Sequence, residues 1–221
     1  MRKLTGAVFQ SLDGVMQAPG GPEEDPTSDF RFGGWSFHFW DESLEKPFAK
    51  VIDADYDLLL GKRTYDIFAA FWPHNQDQPV GATFQRINKY VLTHSDAPLE
   101  WENSHRISGP TADAVAALKR TEGRDLLIQG SSTIYGDLLA ARLIDRLVVM
   151  TFPVLLGGGK SIFDGLDGSG SLKLVETSVS HKGVIFASYE PAGEVPIGSF
   201  AEKEPSKDEL ELRAKQDAGN W

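Results

Sequence analysis

The chain has 221 residues, no cysteine and a formal net charge of −10. The length suits one domain with room for a tail. Without cysteine there are no disulfides or thiolate metal sites, and an acidic surface with no Lys/Arg run disfavours nucleic acid. No stretch of about 18 apolar residues offers a membrane span. Met1-Arg2-Lys3-Leu4 lacks the apolar core of a secretion signal, so the expected location is cytoplasmic.

In chain order, residues 4–9 are apolar and partly β-branched, a first strand running into the turn Ser11-Leu12-Asp13-Gly14. Residues 18–28 are rich in Pro, Gly and acid and read as a mobile loop. Residues 30–40 carry Phe30, Phe32, Trp35, Phe37, Phe39 and Trp40. They form either a hydrophobic flap over the core or a wall of a flat-ring pocket. A helix is expected over 41–51, with Leu44, Phe48 and Val51 on one stripe. Residues 58–61 give a buried strand, and a helix through Tyr65, Phe68, Ala69 and Trp72 stops at Pro73. Strands over 89–93 and within 101–107 follow, then a helix capped by Thr111 through Val115 and Leu118.

The central stretch, 125–163, reads strand, small-residue turn (Gly130-Ser131-Ser132), helix with Ile134, Leu138 and Leu139, then a long apolar strand over 147–156. Residues 171–179 and 183–189 close the domain as a strand pair joined by Ser180-His181-Lys182-Gly183. The domain is thus expected over 1–191, with a charged tail over 192–221 that is mobile or docks on a partner, and a helical turn or two over 208–215. Helices between strands imply right-handed crossovers and a mostly parallel sheet, with the closing pair antiparallel.

Three strand ends carry the candidate chemistry. Gly61-Lys62-Arg63-Thr64, Thr93-His94-Ser95 and Gly130-Ser131-Ser132-Thr133-Ile134-Tyr135 each place hydroxyls, a cation or free amides at the head of a crossover. In a parallel sheet such ends share one edge, where phosphates meet helix N-termini. The plain alternative is that Gly and Ser only bend the chain and cap a helix. Gly159-Lys160-Ser161 is not a P-loop, since Val154 stands where the first Gly belongs. His38, His74, His94, His105 and His181 show no metal-ligand spacing, so no metal is expected.

At these residues the chain resembles the dihydrofolate reductase-like superfamily. It is most similar to the branch containing the C-terminal reductase domain of the riboflavin-pathway deaminase-reductase and its stand-alone bacterial relatives. The matching pieces are Ser11-Leu12-Asp13-Gly14, Gly33-Gly34-Trp35, Leu59 through Tyr65, and the stretch 127–163. The resemblance implies a three-layer α/β/α sandwich on a mixed, mostly parallel eight-stranded sheet, NADPH as hydride donor, and a homodimer.

By position, Gly61, Lys62, Arg63 and Thr64 would hold cofactor phosphates, and Thr93, His94 and Ser95 would flank the adenosine and its 2′-phosphate. Gly130 to Tyr135 would hold the pyrophosphate and nicotinamide side. Asp13 is the implied polar group beside the reacting centre, against the alternative that it only forms the turn. Gly14, Trp35 and Asp41 lie on the substrate side, with Glu42 and Glu45 near Asp41. The riboflavin reductases carry a lysine at the position of Ala7 here, and dihydrofolate reductases carry three glycines where this chain has Gly130-Ser131-Ser132.

The expected function is an NADPH-dependent reduction of a small heteroaromatic or carbonyl substrate. The alternative is a non-catalytic nucleotide-binding scaffold on the same fold. Pro153 inside the apolar run 146–156 reads as an edge strand or a bulge, because it cannot donate to the ladder. The closing strands or the acidic tail could cover that edge from within the chain, but a second copy packed about a two-fold axis is the expected cover, with the Gly157–Lys160 turn near its boundary.

Overall fold

The computed structural model describes residues 1–200 and 204–219. Its centre is an eight-stranded sheet of order β4-β3-β2-β5-β1-β6-β8-β7. The strands are β1 Leu4–Ser11, β2 Tyr56–Gly61, β3 Lys89–Leu92, β4 Ser104–Ile107, β5 Asp125–Gln129, β6 Arg146–Phe152, β7 Leu172–Val179 and β8 Ile185–Pro191. From β4 through β6 every pairing is parallel, and β8 is antiparallel to both β6 and β7. The helices are α1 Glu42–Ile52, α2 Lys62–Phe71, α3 Pro79–Arg86, α4 Thr111–Lys119, α5 Ser132–Ala140 and α6 Lys207–Asp217.

The strand pattern follows from burial on both faces. β2 is buried at every position, as expected of a central parallel strand with helices on either side. One core lies on the face of Ala7, Leu58, Leu60, Leu127 and Val148, covered by Leu44 of α1, Tyr65 of α2 and Phe84 of α3. The other lies on the face of Leu4, Val8, Leu59 and Ile128, covered by Val115 and Leu118 of α4 and Ile134 and Leu138 of α5. The result is the expected three-layer sandwich.

The chain lays down β2, β3 and β4 moving outward, then returns β5 into the gap between β2 and β1. This reversal opens a crevice at the carboxyl ends of β2, β5 and β1, where ligands of doubly wound sheets sit.

Several expectations need correction. β6 is not an edge: it lies between β1 and β8. It ends at Phe152, so Pro153 falls just outside the ladder, where its missing N–H costs nothing. The true edge on that side is β7, exposed at all eight positions. Thr111 is the first residue of α4, not its cap, which is Pro110. α3, with Pro79 at its first turn, was not expected at all.

The loop over 18–28 is also better held than its composition implies. The Gln17 amide donates to the carbonyls of Asp25 (3.0 Å) and Thr27 (2.9 Å). Lys160 pairs with Asp25 and donates to Thr27 Oγ1 (2.8 Å). The Trp35 indole donates to Gln17 O (2.8 Å), and Gly34 N to Ala18 O (2.8 Å). The sheet ends at Pro191, and α6, capped by Ser206, buries none of its residues.

Candidate active site

The crevice is a cleft of about 1200 Å³. Two helix N-termini border it. α2 starts at Lys62 directly after β2, and α5 starts at Ser132 directly after Gly130 and Ser131. Neither has a side-chain cap. Ile134 N turns back onto Ser131 O (3.2 Å), and the earlier amides of each first turn, which no intrahelical carbonyl can satisfy, stay available at the positive end of the helix dipole.

Ser131 fastens the two turns together. Its hydroxyl accepts from Gly61 N (2.9 Å), and its own N–H donates to Thr64 Oγ1 (3.0 Å). This geometry requires a left-handed backbone at two consecutive residues, Gly130 (φ 71°) and Ser131 (φ 61°). Gly130 meets that without strain, and a Cβ there would stand 3.0 Å from Thr64 Cγ2. Ser131 holds a conformation that is uncommon for its residue type, stabilised by the two cross-links.

Gly61, Lys62, Arg63, Thr64, Thr93, His94, Gly130, Ser131, Ser132, Thr133 and Ile134 all line this one cleft, although they come from three separate parts of the chain. Two cations here are already matched. Lys62 Nζ pairs with Asp66 (2.6 Å), and Lys160 Nζ with Asp25. Arg63 is 57% exposed at its side chain, and its nearest acid is Asp25 at 3.9 Å. Burial works against the Asp25 charge. Hydrogen bonds from Lys160 and Thr27, with the Lys160 charge, outweigh it and hold that carboxyl below its usual range. Burial pushes Glu24, also on the cleft wall, the other way. Its Oε2 accepts from Gly20 N (2.6 Å).

The remaining sequence candidates lie elsewhere. Asp13 is not on the cleft wall. Its carboxylate accepts from the Ser11 hydroxyl (2.5 Å), Leu156 N (3.1 Å) and Gly157 N (2.7 Å). It thus ties the β1 turn to the turn after β6, and these donors, Ser11 foremost, hold it ionised below the usual carboxylate range. Gly14 supplies the positive φ of the same turn (86°).

Asp41 is the N-cap of α1, accepting from Ser43 N (2.9 Å) and Leu44 N (3.1 Å), and it also takes Lys182 N (3.1 Å) from the β7–β8 turn. Neither it nor Glu42 or Glu45 lines the cleft. Trp35 packs edge-on against Phe152 (5.3 Å) behind the loop. Ser95 closes a turn on Thr93 Oγ1 (3.0 Å). Tyr135 is wholly buried in the core on the opposite face, under Gly6, where a Cβ would stand 2.7 Å from its ring.

From the aromatic stretch 30–40 the cleft takes Trp40, and it adds aromatic residues that sequence reasoning passed over. Its second half is aromatic. Phe9 of β1, Trp40 just before α1 and Phe48 of α1 form one cluster, with ring centroids 5.1–5.7 Å apart. Phe68, Phe71 and Trp72, at the end of α2, form another. Gln129, the last residue of β5, is in register with Ala7 of β1, and both line the cleft. The period of two along β1 and β5 was the available signal: residues at 7, 9, 127 and 129 share one face.

A doubly wound sheet whose strand reversal opens between two uncapped helix N-termini, with an aromatic half beside them, defines a dihydrofolate reductase-like domain. Within that class the chain belongs to the RibD C-terminal domain family, which matches residues 2–186. YyaP of Bacillus subtilis is 24% identical over 136 residues, covering 60% of this chain and 72% of its own.

Among solved structures, a putative riboflavin biosynthesis protein from Shewanella sp. PV-4 superposes with a TM-score of 0.61 at 22% identity, covering 87% of this chain and 99% of its own. Dihydrofolate reductase from Enterococcus faecalis, complexed with NADP(H), superposes with a TM-score of 0.53 at 19% identity, covering 86% and 96%. At these identities the structures establish the fold.

Proposed function

We propose that the protein is an oxidoreductase, an NADPH-dependent reductase of a small heteroaromatic or carbonyl substrate. The observation that carries this reading is the pair of uncapped helix N-termini, locked together by Ser131, on the wall of a cleft whose other half is aromatic. Free amides at two helix starts suit a diphosphate, and a flat apolar half suits rings. The residues present fit the cofactor. The first-turn amides of α2 and α5, with Arg63 and Thr133, would hold the phosphates, and Thr93 and His94 the adenosine end. No carboxylate among the described cleft residues near Thr93 competes for a 2′-phosphate.

Bound NADPH would supply a hydride, and with one proton from water the substrate would take up two electrons. The chain's part is to hold the rings together and to exclude water. Loop 18–28, strapped down through Gln17 and Lys160, contributes Ala18 to Asp25 to the cleft wall.

The test is calorimetric titration with NADPH and NADH, followed by NADPH oxidation against pterins, pyrimidines and aldehydes. NADPH is expected to bind more tightly than NADH and to be consumed with at least one substrate group. Equal affinity for the two cofactors would refute the phosphate assignment. Tight NADPH binding with no turnover would leave a nucleotide-binding protein without catalysis.

A further inference from the structure

The two faces of the sheet are not covered to the same extent. The core under α4 and α5 takes its buried sheet residues from β2, β5, β1 and β6, and none from β8 or β7. Strand register shows which residues continue that face. Leu147 and Val149 belong to this core, and their partners on β8 are Tyr189 and Ala187. Those pair in turn with Leu174 and Thr177 of β7, and directly opposed residues share a face. By the same alternation Val179 with Ile185, and Leu172 with Pro191, lie on that side. Leu172, Leu174, Val179 and Ile185 are each 43–65% exposed. The opposite face of β7 differs, since it meets α1 through Lys50 Nζ and Glu176 (2.5 Å). A sheet face with apolar residues is normally buried by another layer, and an open apolar patch marks a surface that something covers.

The chain carries a segment of matching character. It leaves β8 at the corner of this face, where Pro191 is level with Leu172. Ala192 N donates to Ser171 O (2.8 Å), and Ser171 N and Oγ donate to Gly193 O (2.9 Å) and Glu194 O (2.7 Å). Beyond that anchor Val195 is half exposed, and Ile197 and Phe200 are fully exposed. The run 195–200, Val-Pro-Ile-Gly-Ser-Phe, has no charge. Then α6 buries none of its residues and sets Leu210 and Ala214 one turn apart on one stripe. Residues 195–206 reach at most about 40 Å when extended, against roughly 27 Å for a strand as long as β7. All of this lies beyond residues 2–186, which match the family.

We propose that the chain's own tail covers this face. Val195, Ile197, Phe200 and the Leu210 side of α6 dock on β7 and β8 and extend the α4/α5 layer past β6. Both surfaces are apolar and both are unmatched. The tether at Ser171 holds the tail at an effective concentration on the order of millimolar, which favours it over a second copy at micromolar concentration. The outer edge of β7, with its unpaired backbone groups, stays open.

Because the chain has no cysteine, a single Leu174→Cys reports on the face. Maleimide labelling of the full chain carrying Leu174→Cys is compared with that of a protein that also carries Ile197→Asp, Phe200→Asp and Leu210→Asp. These three positions are exposed, so the domain folds in both. The charged tail should raise the labelling rate by about fivefold or more, as expected when a docked segment is released, at every protein concentration. Hydrogen exchange gives a second reading without a label. The amides of α6 should exchange about fivefold more slowly in the unaltered chain than in Leu174→Asp.

Equal labelling rates with the two tails, or equal exchange in α6, overturn the proposal and leave the face to another occupant. A tail effect that disappears on dilution puts the tail on a neighbouring copy and overturns docking on its own sheet.

Discussion

Removing Arg63 tests the phosphate assignment most directly. Three cations stand on the helix-terminus half of the cleft. Lys62 is matched by Asp66 at 2.6 Å and Lys160 by Asp25, whereas Arg63 approaches Asp25 only to 3.9 Å. Arg63 is therefore the cation with charge to spare for an incoming anion. A hydrogen bond to a charged group contributes about 1.5–3 kcal/mol. With the side chain 57% exposed, solvent screening places the expected loss at the lower end, roughly tenfold in Kd.

Arg63→Ala should fold normally, because Asp25 keeps Lys160 and Thr27 as partners. Calorimetry with NADPH at low and high salt reads the effect: the wild-type advantage should shrink as salt screens the charge. Asp25→Asn serves as the opposite perturbation. It relieves competition for Arg63, so cofactor affinity should hold or rise at low salt. Unchanged NADPH affinity in a folded Arg63→Ala protein at both salt levels would refute the reasoning and leave the phosphates to the backbone amides.

Three further outcomes are expected. Asp13→Ala leaves Leu156 N and Gly157 N without their acceptor. It should lower unfolding free energy by about 1–2 kcal/mol without altering the pH dependence of turnover, and a pH profile that lost a limb would return Asp13 to the chemistry.

Burial lowers Lys89 to about 8, while in the unfolded chain it would keep its ordinary value near 10.5. Between these values the unfolded state binds more protons, so stability should rise with pH across pH 8–10.5, by roughly 2–3 kcal/mol. Lys89→Met should flatten that slope in urea titrations, and identical slopes would refute it. A homodimer is proposed across β7, the exposed edge carrying Leu172, Leu174, Val175 and Val179. A two-fold pairing of this edge would cover it, and a monomer mass by light scattering over a wide dilution range would overturn that.

How much of this could be read from the chain alone depends on the range over which each signal acts. The strand–turn–helix units at Gly61 and Gly130 were legible because their signals are local: an apolar run, a small-residue turn, an apolar helix stripe. That both turns meet on one cleft followed from parallel topology. The bond that joins them, Ser131 to Gly61 and Thr64, spans about seventy positions of sequence and left no local mark.

β6 was misread for a related reason. A proline beside an apolar run signals a missing ladder bond, but cannot say whether the strand ends first, as it does at Phe152, or runs on along an edge. The polar residues misled where polarity had a structural use. Asp13 was expected beside the reacting centre and Asp41 on the substrate side, yet each accepts from a serine hydroxyl and from backbone N–H groups, which lower carboxylate pKa values and bind turns. Gln129 and the aromatic residues 9, 48, 68 and 71 look like ordinary strand and helix residues. They share one cleft only because β5 returns between β2 and β1, bringing Gln129 level with Ala7. Sequence pattern thus located the part of the cleft built from backbone turns, and long-range topology brought together the side chains that line the rest.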